Sequence, residues 1–255
     1  ITGASSGMGV EFARYHASKG GDLIITARRE AELQNLKSEL EANHGVTVHV
    51  VALDLGANGG AEALYKAVQE TGETVKVLIN NAGFGGHGVH IERELSQEHA
   101  MIDLNIKAVV SLTHMIGNDM VKSGGGKMLH VSSTAGFMPG PMQAVYFASK
   151  AFVTSFSQAI DQELRGRRVT STALCPGGVA TEFLETANLE NTRMGKGSAS
   201  FATAEFCVKH GYDAMMKGEL VTVNQKSYSF LVNWIVPLMP RRRALKMIAD
   251  TQSEG

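Results

Sequence analysis

Six runs rich in Val, Ile and Leu alternate along the chain with stretches of helical period, and this alternation narrows the fold more than any other feature. Strands are expected at 23–26, 46–53, 75–79, 127–131, 169–174 and 220–223, and helices at 7–19, 31–43, 61–71, 97–122, 146–165 and 204–217. Apolar runs without polar alternation belong in a sheet buried on both faces, so the expected fold class is α/β, a doubly wound parallel sheet flanked by helices. Gly20, Gly45, Gly72, Gly124, Gly166 and Gly218 each follow a helical pattern and are expected to end it as left-handed caps. Ile1 abuts the first glycine cluster and leaves no room for the strand expected before it, so the amino terminus reads as truncated.

No linker, charge block or repeat divides the 255 residues, and one domain over 1–255 is expected. The formal net charge of -1, with basic residues scattered except at Arg241–Arg243, gives no footprint for nucleic acid. Cys175 and Cys207 have neither metal-ligand spacing nor a disulfide-framework count, which fits a reducing compartment. With no apolar span of about 20 residues, the expected location is the cytoplasm.

In an open parallel sheet, ligands bind beyond the carboxyl ends of the strands, and the chain concentrates its chemistry there. Thr2-Gly3-Ala4-Ser5-Ser6-Gly7-Met8-Gly9 stands at a strand-to-helix turn, where glycine lets backbone approach a pyrophosphate and a helix N-terminus offers amide donors. Tyr146 and Lys150, four apart at a helix start, project from one face. A neighbouring ammonium favours phenolate, so the Tyr146 pKa is expected below its usual 10. At the end of the second strand, 23–26 when the truncated one is counted first, Ala27 occupies the place of the carboxylate that selects NAD, and Arg28 and Arg29 follow. A guanidinium fork suits a 2′-phosphate, so NADP(H) is expected to be preferred, with NAD(H) as the lesser cofactor; the alternative is that both arginines are solvated loop charges.

The glycine spacing, Asn80-Asn81-Ala82-Gly83, Asn105, Ser133, Tyr146-x-x-x-Lys150 and Pro176-Gly177 together resemble the short-chain dehydrogenase/reductase family over residues 1–183, and with it a Rossmann-type fold. The resemblance implies that Tyr146 protonates a carbonyl oxygen while Ser133, thirteen residues earlier, hydrogen-bonds it; the adjacent Ser132 is the competing candidate. It implies that Lys150 also binds the nicotinamide ribose and that Asn105 holds a water linking the lysine to solvent, unless Asn105 serves only as a helix–helix bond. Cofactor contacts would come from Thr2, Gly3, Ser5, Ser6, Gly7, Met8 and Gly9, from Asp54 and Leu55 at the adenine, and from Asn81, Ala82 and Gly83 at the adenosine ribose. Asp54 also reads as the cap of a turn. Pro176, Gly177, Val179 and Thr181 would wrap the nicotinamide amide; Gly178 replaces the family's more frequent Pro, which predicts a looser loop there.

By the same resemblance, residues 183–203 form a substrate lid and the partner is a second copy, as homodimer or homotetramer. Phe137, Met138, Pro139, Pro141 and Met142 suggest an apolar pocket wall and a hydrophobic carbonyl or alcohol substrate. In the variable tail, 224–255, the segment Tyr228–Pro240 joins an apolar aromatic stretch to three arginines, a combination suited to a membrane surface. Pro237 and Pro240 interrupt any helix there, which favours packing on the body or on a partner. His87 and His90 lack carboxylate companions, read as surface-loop residues, and no metal is expected. Two further functions stand beside the oxidoreductase: a cofactor-binding sensor or scaffold without turnover, and a sugar-nucleotide epimerase or dehydratase, whose glycine turn is usually shorter.

Overall fold

The structure is a computed structural model that describes residues 1–197 and 201–253. Its strands are β1 (Leu23–Ala27), β2 (Val48–Ala52), β3 (Val77–Asn80), β4 (Gly126–Val131), β5 (Val169–Leu174), β6 (Val179–Ala180), β7 (Ala202–Thr203) and β8 (Val221–Thr222). The helices are α1 (Gly7–Ala17), α2 (Glu30–His44), α3 (Gly60–Glu70), α4 (Leu95–Ile102), α5 (Val109–Lys122) and α6 (Ala144–Leu164). They continue with α7 (Phe183–Thr186), α8 (Arg193–Lys196), α9 (Ala204–Lys217), α10 (Lys226–Phe230) and α11 (Arg241–Gln252).

β1 pairs with β2, and β3, β4, β5 and β8 pair in that order, all parallel. Ile1 and Thr2 join the two sets. The Thr2 amide donates to Ile79 O at 3.0 Å, and Ile1 O accepts from Thr26 N at 3.1 Å, so these two residues fill the strand position between β1 and β3. From there the chain runs outward to β1 and β2 and then crosses back to β3, which places a reversal of strand order beside the glycine turn.

Helices cover both faces because each presents one apolar stripe to the sheet. Leu33, Leu36 and Leu40 of α2 pack with Ala13, Ile25 and Val48, while Phe12 of α1 and Val208 and Met215 of α9 pack on Ile79, Leu129 and Leu174. On the opposite face Leu64 and Val68 of α3 and Leu112, Ile116 and Met120 of α5 meet Leu78 and Met128.

Several boundaries depart from expectation. β2 and β3 are shorter than 46–53 and 75–79, although single bonds such as Leu23 N to Thr47 O (2.9 Å) continue the ladder past the strand ends. The expected helix 97–122 is α4 and α5 joined by a π-helical stretch, Asp103–Ala108, whose wider turn carries Asn105. Gly166 is not the cap after α6. It sits in a 3₁₀ turn, Arg165–Arg167, and Arg168 takes the left-handed conformation instead (φ 63°). The tail is helical over α10, the following π and 3₁₀ turns to Leu238, and α11, where no helix was expected.

Candidate active site

Beyond the carboxyl ends of β1, β3, β4 and β5 lies a cavity of about 1200 Å³. Gly3, Ser5, Ser6, Gly7 and Met8 line one end, where α1 begins. Ser6 stands at the N-cap position without a side-chain cap, so no side chain satisfies the first-turn amides of α1. That leaves a set of donors and a positive helix end suited to a phosphate. Thr2 and Gly9 stand behind this wall. Thr2 Oγ1 accepts from the amides of Asn81 and Ala82, both at 3.0 Å, and the Asn81 amide donates to Thr2 O at 2.9 Å. A Cβ on Gly9 would lie 2.0 Å from Gly3 O, so glycine is required for helix and turn to meet. The residues therefore fit a dinucleotide: a backbone cradle that side chains would fill, opened at a helix start.

Arg28, Arg29, Asp54, Leu55, Asn81, Ala82 and Gly83 continue the lining. Arg29 donates to Ser5 Oγ and to Glu182 Oε2, each at 3.2 Å, across the cavity mouth. Arg28 is exposed and has no side-chain partner among the described residues. Asp54 Oδ1 accepts from the Gly56 amide at 3.0 Å, so it shapes a turn while facing the cavity. Pro176, Gly177, Val179 and Thr181 line the opposite wall. Gly178 does not loosen that wall: a Cβ there would meet the Phe201 ring at 2.4 Å, and Gly178 O accepts from Ala202 N at 3.1 Å, which ties the loop to β7 through β6.

Tyr146, Lys150 and Ser133 meet at the middle of the cavity. Lys150 Nζ lies 5.7 Å from the centre of the Tyr146 ring and donates to Val131 O at 2.8 Å. Burial pushes the Tyr146 phenol up to about 12, and a hydrogen bond with Ser133 opposes this. The expected depression by the lysine is absent: desolvation of a phenolate outweighs an ammonium that is itself buried and turned to a carbonyl. Burial likewise lowers Lys150 to about 8, against a contrary pull from Cys175. Ser132 and Ser133 separate cleanly. Ser132 is buried and bonds Lys150 O (2.8 Å) and Thr154 Oγ1 (2.6 Å), whereas Ser133 Oγ accepts from Ala135 N at 3.1 Å on the cavity wall.

Asn105 is buried behind Gly83. Its Oδ1 accepts from Phe84 N (3.1 Å), and its Nδ2 donates to Phe84 O (2.9 Å) and Ser149 Oγ (3.2 Å). Both amide hydrogens are thereby committed, and a single lone pair of Oδ1 is left for a water.

The far end was only partly legible. Of the five residues expected as an apolar wall, only Met138 lines the cavity; Phe147, Phe183, Met194, Leu231, Val232 and Met247 supply the rest. Phe183 lies against the Tyr146 ring, with centroids 5.2 Å apart. Of the expected lid, Phe183, Thr186, Arg193 and Met194 face the cavity, and 198–200 lie outside the described residues. α11 closes this end. Its Ile248 packs with Ala135, Phe147, Tyr146 and Met138, and Gln143, just before α6, donates to Gln252 Oε1 at 2.5 Å. His87 is a half-buried loop residue whose Nε2 meets Gln252 O at 2.7 Å. The missed signal was in the sequence: Ala244, Ile248 and Gln252 recur every fourth residue after Pro240, a helical stripe behind a helix-starting proline.

A parallel sheet with its strand-order reversal at a glycine turn, and a serine, tyrosine and lysine gathered at the cavity beside it, defines an NAD(P)-binding Rossmann-type oxidoreductase. The family model described as short chain dehydrogenase matches residues 1–192, and the chain belongs to that family, whose members act on CH-OH and C=O groups with NAD(P). It is 38% identical over 185 residues to sulfoacetaldehyde reductase 2 of Chromohalobacter salexigens, covering 72% of this chain and 73% of that one. It is 33% identical over 186 residues to the NADP-dependent 3-hydroxy acid dehydrogenase YdfG of Escherichia coli O6:H1, covering 72% and 73%. Among solved structures, a short-chain dehydrogenase from Sphingobium yanoikuyae in complex with NADPH superposes with a TM-score of 0.81 at 29% identity, covering 88% of this chain and 85% of that one.

Proposed function

We propose that this chain is an NADP(H)-linked reductase or dehydrogenase that interconverts a carbonyl and its alcohol, with Tyr146 as the proton donor to the carbonyl oxygen. The observation that carries the reading is the convergence of Tyr146, Ser133 and Lys150 on one cavity wall, next to a cradle fit for a dinucleotide. When bound, the nicotinamide supplies the hydride. A phenol held near 12 is protonated at neutral pH, so Tyr146 has a proton to give as negative charge develops on the oxygen. Ser133, hydrogen-bonded to that phenol, orients the same oxygen. Lys150 is cationic below about pH 8 and stabilises the phenolate left after transfer. Asn105 acts as a positioning residue, since it clamps the loop after β3 to Ser149, which in turn bonds Tyr146 O at 2.7 Å.

For the preference for NADP(H), support comes from Arg28, an exposed guanidinium beside Ala27 at the end of β1 with no side-chain partner among the described residues, and from the NADP named for YdfG and the NADPH held by the Sphingobium protein. We read residues 1–255 as one unit in which the lid and tail form the substrate end, and the apolar side chains there favour a substrate with a hydrophobic portion. A cytoplasmic location, read from the sequence, and a homodimer or homotetramer, by family resemblance, complete the reading.

The test is NADPH consumption with a panel of ketones, aldehydes and 3-oxoacyl thioesters. Tyr146→Phe should lower turnover by about 10³-fold, within the usual range for a lost general acid, while NADPH still binds. Normal reduction by that variant would refute the mechanism. NADPH binding without turnover of any compound would favour the sensor reading.

A further inference from the structure

We infer that the substrate carries an anionic group, which Arg193, Arg243 and Lys246 receive at the far end of the cavity. The inference rests on the carbonyl-reductase reading above and narrows its substrate class. The three cations line that end together with one carboxylate, Asp250, and none of the four side chains makes an ion pair or hydrogen bond among the described residues. Arg14 pairs with Glu11 and Glu39, Arg93 with Glu98, and Arg165 with Asp161, whereas Arg28, Arg167, Arg168, Arg241 and Arg242 make no ion pair among the described residues; what distinguishes the three cations is that they share one end of the cavity. All four side chains are exposed, so a neutral substrate leaves the cations solvated; with three cations against one carboxylate, an anionic terminus gains an attraction there that a neutral one does not.

Their position relative to the reacting centre is fixed. Ile248 packs on Tyr146 and Phe147, and Lys246 and Arg243 precede it by two and five residues, roughly 3 and 8 Å along the helix axis. α11 cannot drift freely from this place, because Gln252 is bonded by Gln143 and His87 while Ser253 O accepts from Arg193 N at 3.1 Å. That last bond also ties α8 and its arginine to the end of α11. Met194 and Met247 lie among the cations, so the site joins an apolar floor to a charged end. The matching ligand is a carbonyl compound with a short or aromatic spacer ending in a carboxylate, sulfonate or phosphate, the oxyanions that a guanidinium fork binds in bidentate fashion. The cofactor's phosphates are not this anion, since the uncapped start of α1 that suits them lies at the other end of the cavity.

The test uses a matched pair of aldehydes, 4-carboxybenzaldehyde and its methyl ester, which differ in charge and share the reacting group. At low ionic strength the acid should have kcat/KM at least about tenfold above the ester, and in Arg243→Gln/Lys246→Gln that ratio should fall to within about threefold of unity. NADPH affinity should stay constant in this variant. The control is Arg241→Gln/Arg242→Gln, neighbours on the same helix that do not line the cavity, in which the ratio should persist. Three outcomes overturn the inference: equal use of acid and ester by the wild type, equal loss of the ratio in both double variants, or weakened NADPH binding when Arg243 and Lys246 are replaced. Should neither aldehyde consume NADPH, the choice of aldehyde substrates fails separately, and calorimetric titration of the NADPH-saturated protein with 4-carboxybenzaldehyde and with the ester still decides the anion site. Tighter binding of the acid that is lost in Arg243→Gln/Lys246→Gln upholds it, and equal binding sinks it.

Discussion

Replacing Lys150 with Met should abolish turnover and at the same time make the folded protein more stable. Burial brings the Lys150 ammonium from its ordinary 10.5 to about 8, and at 1.36 kcal/mol per unit the charged form is disfavoured on folding by about 3 kcal/mol at pH 7. Met fills similar space without charge. It forfeits the hydrogen bond to Val131 O, worth about 1 kcal/mol net, which leaves a gain of about 2 kcal/mol. The pH dependence fixes the cause. The folded-state pKa lies below the unfolded one, so the penalty is complete below pH 8 and fades as pH rises toward 10.5. Urea unfolding of wild type and variant without cofactor should therefore show the variant about 2 kcal/mol more stable at pH 7, and the two nearly equal at pH 10. A variant less stable than wild type at pH 7, or a difference that ignores pH, would refute the reasoning that the lysine is held in place at the expense of stability.

Arg28→Ala should weaken NADPH binding by about 10- to 100-fold, the worth of one charge-assisted contact, and spare NADH; fluorescence titration with both cofactors checks this, and equal losses would assign Arg28 no part in the choice. His130, fully buried in β4, is lowered by burial to about 4 from 6.5, so its neutral form stabilises the fold above pH 6.5 and about 3 kcal/mol is lost as pH falls from 6.5 to 4. His130→Gln should flatten that part of the acid unfolding profile in urea titrations, and an unchanged slope would place the acid sensitivity elsewhere.

What the sequence revealed depended on how local each cause was. The sites of Tyr146 and Lys150 follow from one helical turn, and the glycine turn from a backbone approach that only three glycines permit, so both were legible. The phenol's pKa was misread because spacing reports proximity and says nothing of desolvation, which here is the larger effect. Gly178 was misread as slack because the ring that occupies its missing side chain, Phe201, comes twenty-three residues later. Arg29 meets Glu182 across 153 positions, a contact no local pattern announces. The closing helix was hidden for another reason. Its stripe of Ala244, Ile248 and Gln252 is weakly apolar and sits among charges, so it reads as a solvated tail until the helix is seen lying against Tyr146.

The stretch shared with the family ends at Thr192, and Arg193 is the next residue. Proton donor, turn and cofactor wall all precede that seam, while α11 and its cations follow it. Natural variation could thus retarget such an enzyme by rewriting its final quarter, provided that two fastenings survive the exchange: a residue to seat against Tyr146 as Ile248 does, and an amide to grip Gln143. In the proposed reading, the substrate end is therefore shared between two lengths of polypeptide, the cations of α11 after the seam and Met138, Phe147 and Phe183 before it.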